Sequence, residues 1–217
     1  MASNVNDISI NFEQEGVLVV KELDKETFDI IWLESAPANN TWAIAIPKEL
    51  SDSEGLKTLV DFADYVNDGG YVKLIGSEEF VTSPVALPKF QEIYGFILKE
   101  DQLITVSSGD TAQTEQAASE GIDGVNAAMA YGTDGQLSAL GLVVLEDPKG
   151  AQPVYEPAPR VRGEIMEEYP EIADILDPIF RTLNLETLQT LNGKIAVQGE
   201  SAIDVARDYL VLNGFLE

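Results

Sequence analysis

The 217-residue sequence predicts an α/β fold with a mostly parallel sheet. Two patterns predict it. From residue 41 to 147, short apolar runs alternate with segments of helical period. From residue 170 onward the pattern is helical. Two linkers, SAPANN at 35–40 and PVYEPAP at 153–159, bracket the alternating part. No internal repeat is visible.

Taken in order, residues 7–24 read as a helix ending near Asp24, although Gly16 to Val20 is apolar enough for a strand. DIIWLE at 29–34 is a short strand. TWAIAI at 41–46 is the next, closed by Pro47. Ser51 and Glu54 form a capping box for a helix whose apolar face is Leu56, Leu59, Val60, Phe62, Ala63 and Val66. Val72 to Ile75 is a strand, followed by a loop from Gly76 to Pro84. Leu87 to Tyr94 is a helix stopped by Gly95. Leu103 to Val106 is a strand, and Asp110 caps a helix from Thr111 to Glu120.

The stretch GVNAAMAYGTDGQLSALGLVVLED at 124–147 organises the rest. Val125 to Tyr131 suits a strand buried on both faces. Gly132-Thr133-Asp134-Gly135 breaks it, Gln136 to Leu140 makes a short helix, and Leu142 to Leu145 is another strand. Arg160 to Arg162 is extended. Three helices finish the chain: Pro170 to Leu183, Leu185 to Leu191 with Asn192-Gly193 as its stop, and Ser201 to Asn213.

Composition narrows the chemistry. There is no cysteine and no histidine, so Ser–His and Cys–His nucleophile systems cannot be built. Thirteen basic against 38 acidic residues leave a net charge of −25, which repels nucleic acid. No apolar run reaches membrane-span length. The N-terminus shows no basic region followed by an apolar stretch. A mature domain given a new start codon has the same appearance. The turns match no phosphate loop, and no carboxylate pair lies in an apolar context that raises a pKa. No enzyme and no cofactor is implied.

Aromatic residues remain. Trp42 opens a strand after the first linker, Tyr131 ends a strand, and Tyr155 lies in the second linker. Strand ends of open α/β sheets are where ligands bind. Two linkers suggest two lobes on a two-strand hinge. Three rings in one cleft would form a cage for a quaternary ammonium group. Each ring taken singly fits core or rim packing equally well.

Four segments resemble the osmoprotectant-binding (glycine betaine, carnitine, choline) substrate-binding proteins of ABC transporters. They are APANNTWAIAI at 36–46, GSEEFVTSPVALPKFQEIYGF at 76–96, GVNAAMAYGTDGQLSALGLVVLEDPKGAQPVYEPAP at 124–159 and LNLETLQTLNGKIAVQGESAIDVARDYL at 183–210. The resemblance implies a periplasmic-binding-protein-like (type II) α/β fold with a complete second lobe and a partial first lobe. Residues 1–39 are then the remainder of the first lobe and hinge, 40–155 the second lobe, and 156–217 the helical end of the first lobe. Several strand–helix units with which family members begin are not in this chain.

The resemblance also implies a function: binding a small quaternary amine outside the cytoplasm and passing it to a membrane permease. By position, Trp42, Tyr131 and Tyr155 become cage walls, with Asn40, Thr41 and Thr133 beside them. The family loop Thr-Arg-Pro-Asp corresponds to Thr82-Ser83-Pro84-Val85. Ser83 therefore stands where an arginine usually grips a ligand carboxylate, and it supplies neither charge nor fork. The alternative is a non-transporting relative that self-associates. A second copy would then cover the apolar faces Ile172/Ile175/Leu176/Ile179 and Ile203/Ala206/Leu210, together with residues 8–35.

Overall fold

The computed structural model describes residues 20–217. The expected helix at 7–24 lies largely outside them; within them the chain is helical over 20–28 (α1). Strand β1, Ile30–Trp32, pairs antiparallel with β7, Arg160–Arg162. The rest of the sheet structure is one five-stranded sheet in the order β4-β3-β5-β2-β6. These strands are Leu103–Val106, Leu74–Ser77, Ala127–Tyr131, Trp42–Pro47 and Leu142–Val144.

In this sheet β3 runs parallel to β4 and β5, and β2 runs antiparallel to β5 and β6. Four strands therefore share a direction, as a mostly parallel sheet requires, and β2 alone opposes them. The reason is its entry: β2 follows β1 through the irregular segment 33–41, not through a crossover helix.

Helices cover both faces. Against one face lie α3 (Leu59–Asn67), α4 (Glu78–Thr82) and α5 (Leu87–Tyr94). They enclose Phe62, Phe80, Phe90, Phe96, Ile44 and Met129, the largest side chains of the core. Phe62 and Phe96 meet edge to face at 5.4 Å. The other face is thinner. There α6 (Thr111–Glu120) packs Ala117 and Ala118 on Ala45, Ala128 and Ala130. Small residues on both sides let the helix lie close to the strands.

Several expectations are corrected. Ser51 does not cap the helix ahead of it. It lies inside α2 (Lys48–Glu54), where its hydroxyl donates to Leu56 O. Gly55, at φ +73°, ends α2, and Thr58 with Asp61 forms the capping box of α3. The expected loop after Gly76 contains α4, because Ser77 accepts the Phe80 N–H and starts a helical turn. Gln136 to Leu140 is a run of turns, not a helix. The chain must reverse into β6 there, and Leu142 N–H reaches back to Leu137 O.

The C-terminal part is helical, with α7 (Gly163–Glu168), α8 (Glu171–Phe180), α9 (Leu185–Ala196) and α10 (Ala202–Leu212). The first of these was not expected. Helix α9 runs through Asn192-Gly193, where a stop was expected. Both residues face the turn after β5, and that contact outweighs helix propensity. Val205 is the one buried side chain of α8, α9 and α10 among the described residues. Ile175, Ile203 and Leu212 are exposed.

Candidate functional site

Two chain segments cross between the parts of the molecule side by side. Beyond the β1–β7 pair, Leu33 N–H donates to Pro159 O, Ala36 N–H to Pro157 O and Asn40 N–H to Tyr155 O. Tyr155 N–H returns a bond to Asn39 Oδ1 at 2.8 Å. Prolines on the second segment lack donors, so the ladder uses their carbonyls. The result is a double crossover ending on Asn39-Asn40-Thr41-Trp42.

That end is joined to the turn after β5. Thr133 Oγ1 donates to Asn40 Oδ1 at 2.6 Å. Gly132 N–H donates to Thr41 O. A Cβ on Gly132 would collide with Asn39 O, so the two backbones meet only because this residue is glycine. The turn closes on itself: Tyr131 N–H donates to Asp134 Oδ2 at 2.7 Å, and Asp134 N–H to Tyr131 O. Helix α9 then docks from the other side. Gln189 Nε2 donates to Gly132 O and Asn192 Nδ2 to Thr133 O.

Trp42 and Tyr131 are directly opposed in the β2–β5 register, so both rings stand on one face of the sheet. Trp42 meets Phe80 of α4 edge to face at 6.2 Å. A cleft of about 600 Å³ runs along β6 from Gly141 to Asp147 and reaches Trp42, Thr41, Gly132 and Gln189 at one end; Tyr131 and Tyr155 are not in its lining. That volume suits a small ligand. The Thr41 hydroxyl is buried and has no hydrogen-bond partner among the described residues. Such a group costs stability unless something pairs it.

The expected site residues thus fall into three sets. Thr41 and Trp42 line the cleft. Asn40, Thr133 and Tyr131 hold or flank the hinge end, with Thr133 buried behind it. The others stand apart from the cleft lining. Tyr155 is 60% exposed. The Thr82 hydroxyl is spent on Glu78 O, and Ser83 ends α4 through its N–H to Glu79 O.

Sequence reasoning missed Asp134, Gln189 and Asn192 as parts of this arrangement. Amide side chains on a helix carry no signal of which distant backbone they will bond. It also missed Glu115, and the expectation that no carboxylate pair sits in apolar surroundings is corrected. Glu115 is fully buried on α6, and burial, then the neighbouring Asp134 carboxylate, push its pKa up to about 9. The signal was there: Glu115 falls on the same helical face as Ala118, three residues on.

The double crossover and the mixed sheet covered by helices on both faces define an α/β fold of the periplasmic-binding-protein-like class. A family model described as the substrate-binding domain of the ABC-type glycine betaine transport system matches residues 2–211. The chain belongs to that family. It is 49% identical over 210 residues to the glycine betaine-binding protein YehZ of Escherichia coli K12, covering 97% of this chain and 69% of that protein. It is 32% identical to a glycine-betaine-binding protein of Pseudomonas aeruginosa, covering 88% of this chain and 61% of that one. The apo YehZ structure superposes with a TM-score of 0.81 over 94% of this chain and 72% of its own. A glycine betaine/carnitine/choline ABC transporter structure, 21% identical, also gives 0.81, over 94% of this chain and 71% of its own, and shares the fold.

Proposed function

We propose that this chain is the ligand-binding component of an ABC transporter for quaternary-amine osmoprotectants. It takes its ligand in the cleft at the hinge and hands it to a permease, outside the cytoplasm and without chemistry. The observation that carries this reading is the Trp42–Tyr131 pair, opposed across β2 and β5 at the hinge end of the sheet. The names of the relatives at 49% and 32% identity support the ligand class.

In this reading Trp42 and Tyr131 are two walls of an aromatic cage. Tyr155, exposed on the crossover, is the third and swings in as the lobes close. A quaternary ammonium cannot donate hydrogen bonds, so ring faces and methyl contact hold it. The unpartnered Thr41 hydroxyl receives or donates to the ligand's polar end, and Asn40 with Thr133 holds the cage residues in place. Thr82 and Ser83 complete the rim. With Ser83 where an arginine would grip a carboxylate, choline binds at least as well as glycine betaine. Calorimetry with choline, glycine betaine and carnitine tests this. Heat with none of them, from folded protein, sinks it.

A second reading rests on a different observation. Helices α8, α9 and α10 bury a single side chain among the described residues and expose Ile175, Ile203 and Leu212. In this reading the chain is a non-transporting relative that self-associates through these faces. Light scattering at high concentration decides: a clean monomer removes it.

A further inference from the structure

Helix α6 begins at Asp110, whose carboxylate accepts the Ala112 N–H. It then presents Thr114, Glu115, Ala117 and Ala118 inward, all buried. Thr114 Oγ1 donates to Met129 O at 2.7 Å, which fixes the helix against β5 two residues before Tyr131. Ser119 Oγ donates to Leu140 O at 2.6 Å, which fixes it to the far end of the turn segment. Glu115 lies between these anchors. Neither of its oxygens receives a hydrogen bond from the described residues.

The groups facing Glu115 are Asp134, Gln136 and Asp110. Strands β2, β3 and β5, on which α6 packs, contribute no ionisable side chain except Tyr131. No cation is among these groups. Asp134 is already committed as an acceptor, since its Oδ2 takes the Tyr131 N–H, which needs the ionised form or a carbonyl oxygen. Glu115 is fully buried and Asp134 half-buried, and two such carboxyls side by side without a cation do not both carry charge. One of them keeps its proton, and it is the one buried deeper. A protonated carboxyl is a donor, and a carboxylate beside it is the strongest acceptor available.

We propose that Glu115 is a protonated positioning residue that donates to Asp134 and so holds the Tyr131–Gly135 turn against which the hinge and α9 close. This rests on the ligand-binding reading above, because that turn carries Tyr131 and Thr133 and receives Gln189 and Asn192. While Glu115 keeps its proton, the turn is locked. When Glu115 ionises, it repels Asp134 and frees the Tyr131 N–H. The turn loosens, and the cleft loses its wall. The burial-raised pKa of about 9 places this change on the alkaline side of neutrality.

Infrared spectroscopy of the whole chain reads the proton directly. At pH 7.5 a neutral-carboxyl band is expected; it disappears by pH 10 and is missing from Glu115→Gln at pH 7.5. In choline titrations from pH 7 to pH 10, the wild-type Kd rises about fivefold, the effect by pH 10 of one unit of pKa difference between free and bound forms. Glu115→Gln keeps an N–H donor for Asp134 and cannot ionise, so its Kd stays within about twofold over that range. A wild-type chain without the band at pH 7.5 overturns the proposal, as does an alkaline loss of equal size in Glu115→Gln. If Glu115→Gln does not fold, Asp134→Asn replaces it: removing the facing charge moves the disappearance of the band to lower pH, and an unmoved midpoint overturns the proposal. Binding of neither choline, glycine betaine nor carnitine at any pH defeats the transport reading instead and leaves the infrared test of the pair intact.

Discussion

Thr133 and Asn40, 93 positions apart in sequence, share a hydrogen bond of 2.6 Å that ties the double crossover to the turn at the end of β5. Thr133 is buried and Asn40 is exposed, so the bond sits at the rim where solvent meets the core.

Thr133→Val keeps shape and removes the donor. It also leaves Asn40 free to turn away. A loss of about 1 kcal/mol is expected, read as a roughly fivefold weaker choline Kd. Calorimetry on both proteins measures it. An unchanged Kd means that the hinge end does not shape the ligand site.

Gly132→Ala is expected to be far worse. Its Cβ would collide with the Asn39 carbonyl oxygen, a backbone atom that cannot swing aside. The crossover and the turn must then separate, at about 1–3 kcal/mol of stability. Thermal unfolding is the measurement. A variant as stable as the parent would show that the two segments are not in contact.

Gly193→Ala separates α9 from the same turn. Its Cβ would lie 2.8 Å from Gly135 O. Hydrogen exchange is expected to speed up in α9 while β3 and β5, buried along their length, stay protected. Equal acceleration in the strands would mean that the two parts unfold as one.

Thr58 is the cap of α3, and its N–H is the chief group that lowers the Asp61 pKa. Asp61 is thus more acidic folded than unfolded. Its contribution is present above the ordinary aspartate range and is lost as pH falls through the lowered folded value. Thr58→Ala is expected to cost about 1 kcal/mol near neutrality, and Asp61→Asn, which cannot ionise, to flatten the loss of stability on acidification. Denaturation at pH 7 and pH 3 checks both. An acid loss as steep in Asp61→Asn as in the parent would free Asp61 from that role.

Ser83→Arg restores the charge that the resemblance leads one to expect. Glycine betaine affinity should rise about tenfold, as a charge-assisted hydrogen bond gives, while choline affinity does not rise. Equal gains for both ligands would place residue 83 away from the carboxylate.

Much of this was legible in the residues. The strands expected at 41–46, 103–106 and 125–131, the Asp110 cap and the helices expected at 87–94 and 201–213 follow from local signals: apolar runs, a capping side chain, a glycine stop. Such signals act over a few residues and need no partner. Trp42 and Tyr131 could be placed at strand ends by the same reasoning. The family could be read from ordered motifs, which the match over residues 2–211 bears out.

What the sequence alone determined, then, is the alternation of elements, the acidic surface, and the absence of cysteine and histidine chemistry. Tertiary structure decided the rest. It reversed β2 against its neighbours, since strand direction depends on where the chain enters the sheet. It carried α9 through Asn192-Gly193, because docking onto Thr133 and Gly135 outweighs the local preference to stop. It also set Glu115 opposite Asp134. A carboxyl's charge depends on what surrounds it, and those neighbours come from a turn nineteen positions further on, counting from Glu115 to Asp134.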